Sequence, residues 1–194
     1  MIQIPGITVG PEGKALSGAA AKTETTTRVD AFVDYMCPYC RHFERDNGAE
    51  LQALVDRGIT SLVMHPISIL DRLSLGTMYS TRAAAAAYAV AAGSPEHFGA
   101  FNSALCRDQP REGTEGLSDA DLAHLAESIG VEKAVTHTFA DPKFISMVED
   151  ATNLAINGGL QGTPTVLLTG HHRQTFQWDG SESIGEALGS MAAR

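Results

Sequence analysis

The apolar and polar positions of this chain fall into three blocks. In the first, Val29-Asp30-Ala31-Phe32-Val33-Asp34-Tyr35-Met36 is an apolar, β-branched and aromatic run that reads as a strand. Residues 41–57 read as a helix, with Phe43, Leu51, Leu54 and Val55 as candidate inward positions. Gly58 suits the helix stop, and residues 59–64 read as the next strand, ended by His65-Pro66. Strand, helix and strand in that order predict a βαβ unit with parallel strands and a right-handed crossover. Residues 67–75 form an irregular apolar connection.

The second block, residues 76–159, is helix after helix with no strand. An alanine-rich helix over 78–92 ends at Gly93. Ser94-Pro95-Glu96 predicts an N-cap with proline at the first position of a helix running to Arg107. Residues 108–116 are polar and rich in turn formers, an expected exposed loop. Ser118-Asp119-Ala120-Asp121 resembles a capping box with Asp in place of Glu, opening a helix to Ile129 that Gly130 stops. A short helix over 131–139 follows. Asp141-Pro142 opens the last one, with Phe144, Val148, Ala151, Leu154 and Ala155 on its apolar face and Asn157-Gly158-Gly159 at its end.

The third block returns to strand character over 160–170. A turn follows at Gly170-His171-His172, then an antiparallel strand over 174–178. Asp179-Gly180-Ser181 caps a final helix to about residue 193, with Ile184, Leu188 and Met191 inward. At the other end, residues 2–9 alternate weakly around Pro5 and predict a short edge strand. Gly10-Pro11-Glu12-Gly13 reads as a turn, residues 17–26 as a small, polar, mobile loop, and residues 23–27 as the start of the strand that runs on to Tyr35. No internal repeat is visible.

Composition narrows the field. The chain has 194 residues, 43% hydrophobic and 19% charged, which is globular and fits one domain or one domain with an insertion. A formal net charge of −9 and the lack of any Lys/Arg run argue against nucleic-acid binding. No apolar segment is long enough to span a membrane, and the alanines of 83–92 are too few. The first six residues lack the basic and apolar regions of a signal peptide. Two compartments stay open: an extracytoplasmic one if a leader was removed, and otherwise the cytosol.

The candidate chemistry lies in Cys37-Pro38-Tyr39-Cys40, between the first strand and its helix. A helix N-terminus carries unpaired N–H groups and the positive dipole end, which stabilise a thiolate there. Cys37 is expected at the cap and exposed, as the attacking thiolate. Cys40, one turn deeper and shielded, is the resolving thiol. Pro38 costs no hydrogen bond in a first helical turn. A zinc site is the competing reading, but it needs four ligands. Cys106 is distant, and His42 points around the helix, so no metal is expected.

Thr163-Pro164 opens an apolar strand, where a proline marks an edge or an entry loop. An ordinary trans loop proline is one reading. A cis bond is the other, and it would leave the Thr163 backbone beside the sulfurs, free to pair with an extended substrate.

Strand, C-x-x-C, helix, strand, a helical block, and Gly162-Thr163-Pro164-Thr165 leading a hairpin and a last helix together resemble the thioredoxin superfamily, over nearly all of the chain after residue 25. The inserted helical block resembles the DsbA type of disulfide oxidoreductase. The resemblance implies an α/β thioredoxin fold, a central mixed sheet flanked by helices, built from residues 1–75 and 160–194 with an all-helical domain at 76–159. It implies a cis Pro164, a Thr163 that helps set redox behaviour, and Pro38-Tyr39 as the variable dipeptide. Thr163, Pro164, Pro38 and Tyr39 are thus the candidate substrate-binding positions. It further implies cysteine-containing protein substrates, a separate redox partner, and no cofactor beyond the disulfide itself.

Two residues depart from the family pattern. Ala31 stands where a buried acid is usual, and Asp30 and Asp34 differ from it in register. Tyr39 offers a neutral phenol in place of a histidine, so Cys37 is expected to be less acidic than in the strongest oxidants.

The remaining candidates read as structural. Cys106 is expected to be a free buried thiol. His42, His65, His97, His124 and His137 are scattered, His171-His172 is a polar turn, and Phe176 and Trp178 are packing residues. Three functions compete: disulfide exchange with proteins, a small-thiol-dependent transferase or isomerase of the same fold, and a binding or chaperone module with a vestigial motif.

Overall fold

The computed structural model describes residues 4–18, 25, 27–170 and 174–192. Among these, six strands form one mixed sheet: β1 (Ile7–Val9), β2 (Ala15–Leu16), β3 (Thr27–Val33), β4 (Thr60–Pro66), β5 (Thr165–Thr169) and β6 (Thr175–Trp178). Their order across the sheet is β2-β1-β4-β3-β5-β6. The β3–β4 pair is parallel, with Thr27 opposite Thr60 and Val33 opposite Pro66. A parallel pair requires a crossover, and helix α1 (Pro38–Asp56) supplies it. β5 joins the other side of β3 antiparallel, and β6 closes the hairpin antiparallel to β5.

β1 is not an edge strand as expected, because β2 pairs outside it. Two residues of strand are a weak sequence signal, and only the fold back through the Pro11–Gly13 turn brings them into register. β3 ends at Val33 rather than running to Met36, since Asp34-Tyr35-Met36 turns toward the helix.

The alternation along β3 sends its residues into two cores. Val29, Ala31 and Val33 join the main cluster, which includes Phe43, Leu51 and Val55 of α1 and Val166 and Leu168 of β5. Phe32 points the other way, against Ile67, Ala151 and Ala155. Helix α1 ends as expected at Gly58, whose φ of +67° suits a residue without Cβ. The N–H groups of Gly58 and Ile59 bond to Val55 and Leu54, the paired closure of a Schellman motif.

Between Pro66 and Thr165 every regular element is helical. After a 3₁₀ turn at Asp71–Leu73 come α2 (Tyr79–Gly93), α3 (Phe98–Arg107), α4 (Asp119–Ser128), α5 (Lys133–Thr136) and α6 (Pro142–Asn157). Ala83 to Ala87 of α2 are fully buried, and α2 packs against α6, α3 and β4. The Ser118–Asp121 capping box forms in full. Asp141 caps α6 by accepting from the Lys143 N–H.

Three boundaries differ from the sequence reading. Ser94 does not cap an α-helix: its hydroxyl bonds to His97 and Glu96, and Pro95–His97 is a 3₁₀ turn ahead of α3. The helix over 131–139 shrinks to α5, and the final helix α7 spans Ile184–Ala192, starting after the 179–181 turn. Ile184 and Leu188 are buried in the main core. The expected turn at His171-His172 and most of the 17–26 loop lie outside the described residues.

Candidate active site

The site forms where β3 ends and α1 begins. Asp34 leaves the strand, and its carbonyl accepts the Cys37 N–H at 3.0 Å. Cys37 is the N-cap of α1 with an extended backbone, and Pro38 occupies the first helical turn. The Cys37 carbonyl then accepts from the N–H of Cys40 at 3.0 Å and from Arg41 at 3.4 Å. Both cysteines are free of a disulfide here, one turn apart on the helix start.

From the neighbouring strand the loop ahead of β5 closes over them. The Thr163–Pro164 peptide bond is cis. The Cys37 sulfur lies 3.1 Å from the Thr163 carbonyl oxygen, to which its thiol form donates, across 126 residues of sequence. The Thr163 hydroxyl is buried beside both sulfurs. Pro38 and Tyr39 project outward, Tyr39 at 69% exposure with its ring edge-on to His42.

The expected exposure of Cys37 is corrected: the residue is only 4% exposed. Tertiary packing accounts for this. The Thr163 loop covers one side, and Gln109 covers another, donating from Nε2 to the Cys37 carbonyl at 2.9 Å. Residues 108–116 are therefore not wholly an exposed loop. Gln109 is buried, and Arg41 holds it by donating to its carbonyl and to that of Cys106.

The two thiols differ sharply in acidity. Cys37 is lowered to about 6, chiefly by a hydrogen bond from the Cys40 thiol, with help from Thr163 and the backbone N–H groups of Cys40 and Tyr39. Burial pushes Cys40 well above its ordinary value, and the Cys37 sulfur beside it pushes the same way. One sulfur is thus a thiolate at neutral pH and the other a thiol. This is the division that stepwise disulfide exchange uses.

Cys106 is buried and free, with its thiol pushed far up by burial. His65 is buried too: its ring stacks on Phe32 and lies 2.8 Å from both Asp30 and the Pro5 carbonyl. His42, His124 and His137 are exposed. Trp178 packs edge-on to Phe43, whereas Phe176 is exposed. Among the described residues no group of three or more His, Cys, Asp or Glu side chains is gathered so as to hold a metal ion.

The sequence reading missed Asp34. It looked misplaced by strand alternation, yet it is fully buried behind the redox turn. Its carboxylate accepts from the N–H of Met36 at 2.9 Å, the N–H of Leu70 at 2.9 Å and the Ser80 hydroxyl at 2.7 Å. Its own N–H approaches Cys40 Sγ at 3.5 Å. Burial raises the carboxyl to about 7, against the lowering effect of those donors. A strand that stops at Val33 voids the alternation rule at the next residue. The one available signal was an acid in an otherwise apolar run three residues before the first cysteine.

Comparison with known proteins fits this geometry. A family model described as thioredoxin matches residues 19–184. Among solved structures, reduced DsbA from Mycobacterium tuberculosis is 28% identical with a TM-score of 0.77, over 97% of this chain and 93% of that one. The reduced disulfide bond oxidoreductase DsbG from the same organism is also 28% identical, with a TM-score of 0.76 over 97% and 88%. BdbD from Bacillus subtilis, at 21% identity and a TM-score of 0.76, shares the fold. The serine/threonine-protein kinase PknE of Mycobacterium tuberculosis is 31% identical over 174 residues, which is 87% of this chain and 29% of the kinase. The chain therefore spans less than a third of the curated relatives it matches. With a thioredoxin match over most of its length and a helical block between the two halves of its sheet, the chain belongs to the thioredoxin family, in its DsbA-like form.

Proposed function

We propose that this chain is a thiol–disulfide oxidoreductase that exchanges disulfides with cysteine-containing proteins through Cys37 and Cys40. The observation that carries this reading is a lowered Cys37 thiol at a helix start, bonded to its neighbour Cys40 and set against the backbone beside a cis proline.

In the reducing direction the Cys37 thiolate attacks one sulfur of a substrate disulfide. A Cys37–substrate mixed disulfide forms, and the other substrate sulfur leaves as a thiolate and takes a proton. Cys40 then gives up its proton and attacks the Cys37 sulfur. The substrate's second sulfur is released as a thiol, and the Cys37–Cys40 disulfide closes. Two electrons pass from the pair to the substrate. Oxidation of a substrate dithiol runs the same steps in reverse, and a separate redox partner restores the starting state.

Thr163 and Pro164 are the substrate-facing backbone in this reading, where an extended segment adds as a strand. Pro38 and the exposed Tyr39 flank it. The redox unit is residues 1–75 and 160–194, with 76–159 as an inserted helical unit that walls one side of the site. The family's use of its own disulfide in place of an external cofactor supports the same chemistry.

Insulin reduction tests the proposal. Cys37→Ser is expected to lower the rate by roughly a hundredfold or more, since its nucleophile is gone. Cys40→Ser is expected to accumulate a mixed disulfide with substrate, visible by mass. Equal turnover by wild type and Cys37→Ser would remove the proposal. The equilibrium of the pair with glutathione then decides whether the chain donates disulfides or reduces them.

A further inference from the structure

Asp34 takes no part in the exchange steps above, yet it is a fully buried acid beside them. Three donors from three places converge on one buried carboxylate: Met36 on the redox turn, Leu70 on the connection after β4, and Ser80 on α2. Neither carboxylate oxygen has the Cys40 sulfur among its hydrogen-bond partners. The backbone of Asp34, by contrast, touches both cysteines, donating toward Cys40 Sγ and accepting from the Cys37 N–H. Whatever fixes Asp34 therefore fixes the spacing of the redox pair.

We infer that Asp34 is a positioning residue for disulfide exchange: its carboxylate ties the turn carrying Cys37 and Cys40 to the inserted helices, so that the tie, and with it the resolving geometry, is at full strength only while the carboxylate is ionised. The inference rests on the oxidoreductase reading for its catalytic consequence, but the tie itself does not.

The chemistry is one of matching donors. An ionised carboxylate is acceptor-only and suits three donors. A protonated one keeps acceptor lone pairs but brings a fourth hydrogen into a ring of donors, and the bonds lose their charge assistance. Burial makes that protonation reachable, at about 7. The groups facing Asp34 are Asp71 from the 3₁₀ turn, which raises it further, the buried Tyr79 of α2, and Cys40 of α1. An amide in place of the carboxylate keeps the volume but turns its NH₂ toward at least one of the three donors. Its effect should therefore resemble permanent protonation.

Insulin reduction by the full chain and by Asp34→Asn, each near pH 8 and near pH 6, is the test. Near pH 8 the variant's turnover is expected to fall by about tenfold with KM unchanged, the scale of one buried charge-assisted hydrogen bond. Near pH 6, where wild-type Asp34 is itself protonated, the two should agree within about twofold. A purely structural residue would lower both by the same factor, and that result, or no change at either pH, overturns the inference. If Asp34→Asn does not fold, Ser80→Ala removes one of the three donors. It should show the same pH-dependent gap at a smaller size, and a rate equal to wild type at both pH values overturns the inference. If the wild type reduces no insulin, the oxidoreductase reading fails and the tie is judged by amide exchange. The Met36 and Leu70 amides should be better protected near pH 8 than near pH 6 after correction for intrinsic rates, and equal protection overturns it.

Discussion

Cys37 and Asp34 ionise within one turn of chain, and the fold shifts them in opposite directions. Asp34 is raised from 3.8 to about 7, so between those values the folded state holds a proton that the unfolded chain has released. Its contribution to stability is full below the unfolded value and is lost as pH rises through about 7. Cys37 is lowered from 9.0 to about 6, so between those values the folded state has already released a proton. Its contribution is present above the unfolded value and is lost as pH falls through about 6. For the reduced protein the melting temperature should therefore fall from acid pH toward neutrality and rise again toward pH 9, with a trough at about 6 to 7. Asp34→Asn should remove the acid-side fall, and Cys37→Ser the alkaline-side rise. A flat profile in wild type would contradict both assignments. Cys37 and Cys40 were legible from residue order, because the thiol that chiefly lowers Cys37 lies three residues along the same helix start. Asp34 was not, because its three donors come from residues 36, 70 and 80, and no local pattern records that they converge.

At the scale of elements, local rules hold where the local group is the partner. The Schellman closure at Gly58 and the Ser118–Asp121 box are reciprocal bonds within a few residues, and both were readable in advance. Ser118 both accepts the Asp121 N–H and gives its own N–H to the Asp121 carboxylate. Ser118→Ala should cost about 1 kcal/mol in urea unfolding, the usual worth of a lost N-cap. An unchanged midpoint would mean that α4 is held by packing alone. Ser94-Pro95-Glu96 has the same outward signature and fails as a cap, because His97 competes for the serine hydroxyl at 2.8 Å. Short strands are the other failure. β2 has two residues, too few for any period to register, and exists because β1 offers it an edge.

Over the whole molecule, the main apolar cluster spans both the helical block and the sheet. The main cluster runs from Val29 and Val166 through Phe43 to Ala83, Ala87 and Val90 of α2, and on to Phe101, Leu105 and Val148. Buried polar ties cross the same boundary: Tyr35 donates to Asn102 of α3, and Asn102 in turn to Glu44 of α1. The inserted unit proposed at 76–159 should therefore not melt apart from the rest. Trp178, set against Phe43, reports on the sheet, and far-ultraviolet circular dichroism is dominated by the helices. Their unfolding curves should coincide, and a separate helical transition would show the block to be independent. By itself the sequence determined what neighbours along the chain can decide: the βαβ unit, the helical block, the helix stops and the acidic cysteine at a helix start. Only the tertiary structure decided that Thr163 meets Cys37, that Gln109 buries it and that Asp34 sits ionisable behind it. Those contacts join residues from 36 to 126 positions apart, and their free energy depends on distances that the order of residues does not encode.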